Sequence, residues 1–208
     1  MKRIIQVNKD IKTDKNKVEI IFEDGTNILI DKMQYYSSNL YNLDEINDGD
    51  LLNIKLLTLY NEAKSKALRF ISLRLKTKYE IINKLVEQGY EKDVCLKVCE
   101  ELENEGYIND YEYCIKYISH SKKLKNMSNK MIISHLKNKG IDESLIHEAV
   151  KKSNINDLDT AVNLLLKKYK KNSIKDIDNR KAIVYLSNKG FSYECSKKAL
   201  EKYLTGFE

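Results

Sequence analysis

The chain has 208 residues, 42% hydrophobic and 33% charged, enough for one good-sized core or two small domains, and its 37 Lys and Arg against 31 Asp and Glu give a formal charge of +6. Zero Pro and only 7 Gly exclude collagen-like, proline-linker and glycine-rich architectures and leave long helices as the natural content. No run approaches the roughly 18 apolar residues of a membrane span, and Met1-Lys2-Arg3-Ile4-Ile5-Gln6 meets Asn and Lys before a signal-peptide core can form, so a cytoplasmic protein is expected.

In chain order, Ile4, Ile5 and Val7 form a short apolar run, and Val18–Phe22 faces Ile28–Ile30 across Asp24-Gly25-Thr26-Asn27. Asp-Gly supplies the positive φ of a tight turn, so a β-hairpin is predicted. Residues 1–60 carry 8 basic and 10 acidic side chains, net −2, which leaves 29 against 21, net +8, for residues 61–208.

From Leu51 onward the pattern is helical and it repeats. Gly89, Gly140 and Gly190 lie 51 and 50 residues apart, with Leu85, Leu136 and Leu186 four residues before them and Ile82, Ile133 and Ile183 seven before. Tyr90, Ile141 and Phe191 follow directly, then Val94, Leu145 and Cys195, then Val98, Ala149 and Ala199. Such spacing marks one helix face on either side of a glycine that closes the first helix in the left-handed conformation. A further amphipathic segment precedes each pair, at about 51–73, 110–124 and 157–170. The predicted fold is therefore mainly α, a tandem array of three three-helix repeats (51–109, 110–155 and 156–208) behind a small N-terminal β-containing module (1–50).

Charge segregates within the repeat. No acid lies between Glu62 and Glu80, a window holding Lys64, Lys66, Arg69, Arg74, Lys76 and Lys78. None lies between Glu112 and Asp142, where Lys116, Lys122, Lys123, Lys125, Lys130, Lys137 and Lys139 occur, nor between Asp159 and Asp176, where Lys167, Lys168, Lys170, Lys171 and Lys175 occur. Residues 91–112, by contrast, carry 8 acids and 2 lysines. The expectation is a basic stripe that contacts backbone phosphates, a mode that is sequence-independent and salt-sensitive. Charge reversal at Lys122, Lys123 and Lys125 is expected to weaken polyanion binding. A helix-turn-helix reader is disfavoured, because the third helix of the first repeat is acidic and bidentate base readout needs more than Arg69, Arg74 and Arg180.

No catalytic constellation is legible. His120, His135 and His147 lack metal-ligand spacing, no phosphate-cradling glycine loop occurs, and no cofactor is expected. The cysteines at 95, 99, 114 and 195 lack paired CxxC spacing and read as reduced; Cys99 and Cys195 occupy core slots, Cys95 a mixed slot, and Cys114 an apolar-periodic helix. Tyr107, Tyr111, Tyr113 and Tyr117 read as core and rim aromatics in preference to a base-stacking platform.

Ala67-Leu68-Arg69-Phe70-Ile71-Ser72-Leu73-Arg74 with Thr77, Glu80 and Leu85 resembles the opening motif of the RecX family of recombination regulators. Gly106-Tyr107-Ile108-Asn109-Asp110-Tyr111-Glu112-Tyr113, with Ile132, Leu136 and Lys139-Gly140-Ile141, resembles its central motif, and Lys181-Ala182 through Leu186 with Gly190-Phe191-Ser192 its last repeat. The resemblance covers about residues 60–203. Cys114 stands where the family usually has alanine, and lysine replaces much of its groove arginine, which keeps charge but not bidentate geometry. The resemblance implies a non-enzymatic, monomeric protein that binds the RecA recombinase filament on single-stranded DNA and inhibits it. The alternative is a helical-repeat nucleic-acid-binding module with no recombinase partner.

Overall fold

The structure, a computed structural model, describes residues 1–12, 14–153, 156–169 and 178–205. The chain divides into two compact units, one comprising Met1–Phe70 with Lys84–Glu101 and the other Ile71–Asn83 with Leu102–Glu208. The architecture is mainly α with a small N-terminal antiparallel sheet.

In the first unit, β1 (Lys2–Asn8), β2 (Lys17–Phe22), β3 (Asn27–Asp31) and the short β4 (Glu45–Ile46) form a sheet of order β3-β2-β1-β4. The expected hairpin is β2–β3, and Gly25 at its turn has φ of 79°. Strict alternation on β2 buries Val18, Ile20 and Phe22. In β1, Ile4 pairs with Phe22 and Gln6 with Ile21, so Ile5 is the extra residue of a β-bulge and its side chain is turned out to solvent. The apolar run therefore contributes only Ile4 and Val7 to the core. Helix α1 (Lys32–Ser37) and the start of α2 (Asp48–Leu73) cover the sheet through Tyr35, Leu51 and Ile54. Gln34 donates from Nε2 to the Ile54 carbonyl (2.9 Å) and accepts from the Thr58 hydroxyl (3.1 Å), which satisfies the polar groups buried under that helix.

Helices α2, α3 (Lys78–Glu87) and α4 (Lys92–Asn104) make the first triplet. The second is α5 (Asp110–Lys125), α6 (Asn129–Asn138) and α7 (Glu143–Ser153), and the third is α8 (Asp157–Tyr169), α9 (Asn179–Asn188) and α10 (Tyr193–Thr205). The middle helix of each ends at its glycine with φ of 90°, 72° and 84°, and the next residue's N–H, in Tyr90, Ile141 and Phe191, bonds back to the carbonyl of Leu85, Leu136 and Leu186. That is the Schellman closure which the glycine spacing predicts.

The core register differs from the expected one. The middle-helix partners of the fully buried leucines are Ile81, Ile132 and Ala182, whereas Ile82, Ile133 and Ile183 are only half-buried. On the third helix, Cys95, Ile146 and Ser196 form a fully buried slot and Cys195, with Val94 and Leu145, a half-buried one. A small Ala or Ser at a core position gives no hydrophobic signal, although van der Waals contact at close helix approach selects it.

Within the second unit the triplets are joined by a repeated device. Thr77, which caps α3 in a reciprocal capping box with Glu80, donates its hydroxyl to the Lys139 carbonyl (2.8 Å). Ser128, which caps α6, donates likewise to the Lys189 carbonyl (3.0 Å). Each hydroxyl thus satisfies an orphan carbonyl at the end of the following triplet's middle helix. The carboxylate at the head of that triplet completes the joint: Asp110 accepts from the Lys78 N–H (2.9 Å) and Asp157 from the Asn129 N–H (2.9 Å). Asp178 occupies the cap position of Thr77 and Ser128 in the third triplet and, among the described residues, caps its own helix through the N–H groups of Arg180 and Lys181. Thr77→Val is expected to destabilise the protein by about 1–2 kcal/mol, the scale of a lost cap with an unsatisfied carbonyl. Chemical denaturation of this variant beside wild type measures it.

Candidate nucleic-acid interface

The structure sorts the expected basic residues into engaged and available ones. In the first unit, the Lys64 ammonium lies 3.1 Å from Glu101, and Lys66 sits 4.9 Å from the centre of the Tyr90 ring, a cation–π contact. Arg69 is exposed one turn further along α2. In the second unit, Arg74 is exposed, Lys76 is buried, and Lys78 pairs with Glu103 at 2.7 Å.

The second window is divided most sharply. Lys116 pairs with Glu112 at 2.6 Å, Lys137 with Glu143 at 2.5 Å, and Lys139 with Glu80. The Lys122 side chain is only 3% exposed and its ammonium lies 2.5 Å from the Asp157 carboxylate, the same carboxylate that caps α6. This lysine is a strut between helices, and the pair holds it away from any solvent-borne phosphate. Lys123, Lys125 and Lys130 are exposed and have no hydrogen bond or ion pair among the described residues. They bracket the α5–α6 connection, where Asn126 turns the chain in the left-handed conformation (φ 49°) and Ser128 starts the next helix. In the third window Lys167 is exposed, Lys168 lies 3.5 Å from the Tyr185 ring centre, and Lys170 and Lys171 fall outside the described residues.

Burial raises the pKa of the Glu80 carboxyl, but the Lys139 hydrogen bond, the Thr77 N–H and the charges of Lys139 and Lys76 outweigh it, and the net shift is below the ordinary 4.5. The Glu80 hydrogen bond in turn raises the Lys139 ammonium above its ordinary 10.5, against the opposing effect of burial. A lowered carboxylate stabilises the fold above its unfolded pKa and loses that contribution as pH falls through the folded value; a raised ammonium does so below its unfolded pKa and loses it as pH rises. The pair therefore contributes fully between about pH 4.5 and 10.5. Glu80→Gln is expected to lower stability at neutral pH and to match wild type once the acid limb is passed, as read from urea midpoints against pH.

Burial pushes the Cys114 thiol up to about 11, with the Asp110 charge adding to the effect, and burial likewise raises Cys95 and Cys195. None of these thiols has the thiolate character that nucleophilic or redox chemistry requires. Among the described residues no His, Cys, Asp and Glu cluster suits a metal ion, and no helix is long and apolar enough to cross a membrane. Tyr107 is exposed and Tyr111, Tyr113 and Tyr117 are half-buried, so the last three are rim aromatics of α5.

These features define a class: a three-triplet helical protein with an N-terminal sheet module, its basic side chains partly spent on internal struts and partly presented to solvent. The family model described as "RecX, first three-helix domain" matches residues 63–102. The Regulatory protein RecX of Clostridioides difficile (strain 630) is 29% identical over 198 residues, covering 93% of this chain and 92% of that one. That of Bacillus subtilis (strain 168) is 28% identical over 199 residues, covering 92% and 75%. A crystal structure of regulatory protein RecX superposes with a TM-score of 0.73 at 20% identity, over 97% of this chain and all of the other. RecX from Lactobacillus salivarius gives 0.61 at 23% identity over 70% of this chain and 96% of the other. Residues 63–102 thus match the first three-helix domain of RecX, and over nearly its whole length the chain is similar to proteins named as regulatory proteins.

Proposed function

We propose that this protein is a cytoplasmic regulator that binds the RecA recombinase filament on single-stranded DNA and lowers its ATP hydrolysis and strand exchange. The observation that carries the phosphate-binding part is the group of exposed lysines around the α5–α6 connection, Lys123, Lys125 and Lys130, which have no ion pair among the described residues. An unpaired surface ammonium releases counterions when it meets a phosphate, whereas one already paired with a carboxylate, as Lys64, Lys78 and Lys116 are, has first to exchange partners. Arg74 and Lys167 of the second unit extend the same contact, and Lys122 and Lys76 stay internal. The N-terminal module (1–50) and the three repeats (51–109, 110–155, 156–208) act as one monomer in this reading, with acidic and apolar faces turned to the recombinase.

Addition of the purified protein to RecA, single-stranded DNA and ATP at low salt is expected to lower the steady-state ATPase and the filament length. Unchanged assembly, disassembly and ATPase overturn the reading. Equal affinity for bare nucleic acid and for the filament favours a general nucleic-acid-binding module instead. The triple variant Lys123→Glu, Lys125→Glu, Lys130→Glu is expected to bind single-stranded DNA about tenfold more weakly, with the slope of log affinity against log salt reduced by about 2, at about 0.7 per lost contact on a single strand.

A further inference from the structure

The phosphate reading leaves one feature of the second unit unexplained. Leu75, Tyr113, Lys116, Tyr117 and His120 line a pocket of about 160 Å³ open to solvent. The Tyr113 and Tyr117 rings are nearly parallel, 11° apart with centres separated by 6.1 Å, and so form one offset aromatic surface. The Tyr117 hydroxyl and His135 Nδ1 are 2.8 Å apart, a hydrogen bond that holds the ring from the neighbouring helix α6. Leu75 is 49% exposed at the pocket edge, an apolar side chain that water covers poorly.

The charge around this surface is of one sign once internal pairs are counted. No carboxylate occurs from Tyr113 to Ile141; Glu112 is paired with Lys116 and Glu80 with Lys139, while Arg74 lies close enough to influence the Tyr113 hydroxyl. Lys123 stands three residues beyond His120 on α5, so the available lysines begin where the aromatic surface ends. The pocket is well below the roughly 300–1,000 Å³ of a site that engulfs a drug-sized ligand. It suits one flat ring system, held face-on and flanked by anions.

We infer that the Tyr113/Tyr117/His120 pocket takes an unstacked base of single-stranded DNA, with a flanking phosphate on Lys123. Base–aromatic stacking is tolerant of sequence, because every base has a π-face, and it selects single strands, because duplex bases are already stacked. The inference rests on the phosphate-binding reading above and adds to it a contact that charge alone cannot make.

The test measures affinity for labelled oligothymidylate, for an abasic oligodeoxynucleotide of equal length and for oligouridylate, at low salt. Tyr117→Ala and His120→Ala are expected to weaken oligothymidylate binding about tenfold or more for the tyrosine, the scale of one base stack, and to leave abasic binding unchanged. Tyr117→Phe, which keeps the ring and loses the His135 bond, is expected to stay near wild type. His120 is exposed, so His120→Ala decides the matter should Tyr117→Ala fail to fold. Equal wild-type affinity for the abasic and base-bearing strands, or unchanged binding by both alanine variants, overturns the base pocket and leaves the phosphate reading standing. Absence of binding to any strand overturns both, and tighter binding of oligouridylate overturns the assignment to DNA.

Discussion

Replacing Asp157 by alanine is expected to destabilise the protein by about 3–5 kcal/mol, because it leaves the buried Lys122 ammonium without a counter-charge. It also removes the acceptor of the Asn129 N–H, so α6 loses part of its start in the same step. At roughly 2–4 °C per kcal/mol for a chain of this size, the melting temperature should fall by about 10 °C. Lys122→Met is expected to cost less, since Asp157 is 27% exposed and can be rehydrated once the lysine is gone. Differential scanning calorimetry of both variants checks the asymmetry; equal losses would place the pair on the surface. For the same reason a charge reversal that includes Lys122 unfolds a joint, and it does not report on polyanion binding as the sequence alone leads one to expect.

The second large effect concerns the repeat glycines. Gly140 has φ of 72°, and a Cβ built there would lie 2.8 Å from Tyr79 Cδ1 and closer still to Tyr79 Cβ and Cγ. Gly190 has φ of 84°, and its Cβ would meet Ser128 Oγ at 2.5 Å and Met131 Cγ at 2.8 Å. Gly89 has the same left-handed backbone with nothing within 4 Å. Gly89→Ala should therefore cost only the conformational strain, about 1 kcal/mol, whereas Gly140→Ala adds a steric clash of about 1–3 kcal/mol. Urea midpoints of the two variants separate the contributions. Similar losses at both sites would show that no close approach constrains Gly140.

Much of the fold is legible in the sequence because its signals are local. The 51- and 50-residue glycine spacing, the leucines four residues earlier and the Asp-Gly turn each report on a backbone conformation that neighbouring residues alone determine. The core register is less legible, since Ala182 and Ser196 occupy slots where Ile and Cys stand in other triplets and carry no hydrophobic mark of their own. Lys122 left a faint trace, lying at the four-residue continuation of the buried stripe Cys114, Ile118. The Thr77–Ser128 equivalence, also 51 residues apart, is a second such trace.

By itself the sequence determines three helical triplets, glycine-closed helices, a hairpin module of net −2 and a repeat region of net +8. Which lysines remain free to meet an anion is decided only by the tertiary structure. Helical period assigns a side chain to a face of its own helix, but an ion pair such as Lys122 with Asp157, 35 residues apart, exists only where packing brings two helices together and removes the water between them. The same packing builds the Tyr117–His135 contact and sets two aromatic rings parallel at the surface. A lysine count is additive along the chain, whereas its availability depends on neighbours that folding alone supplies.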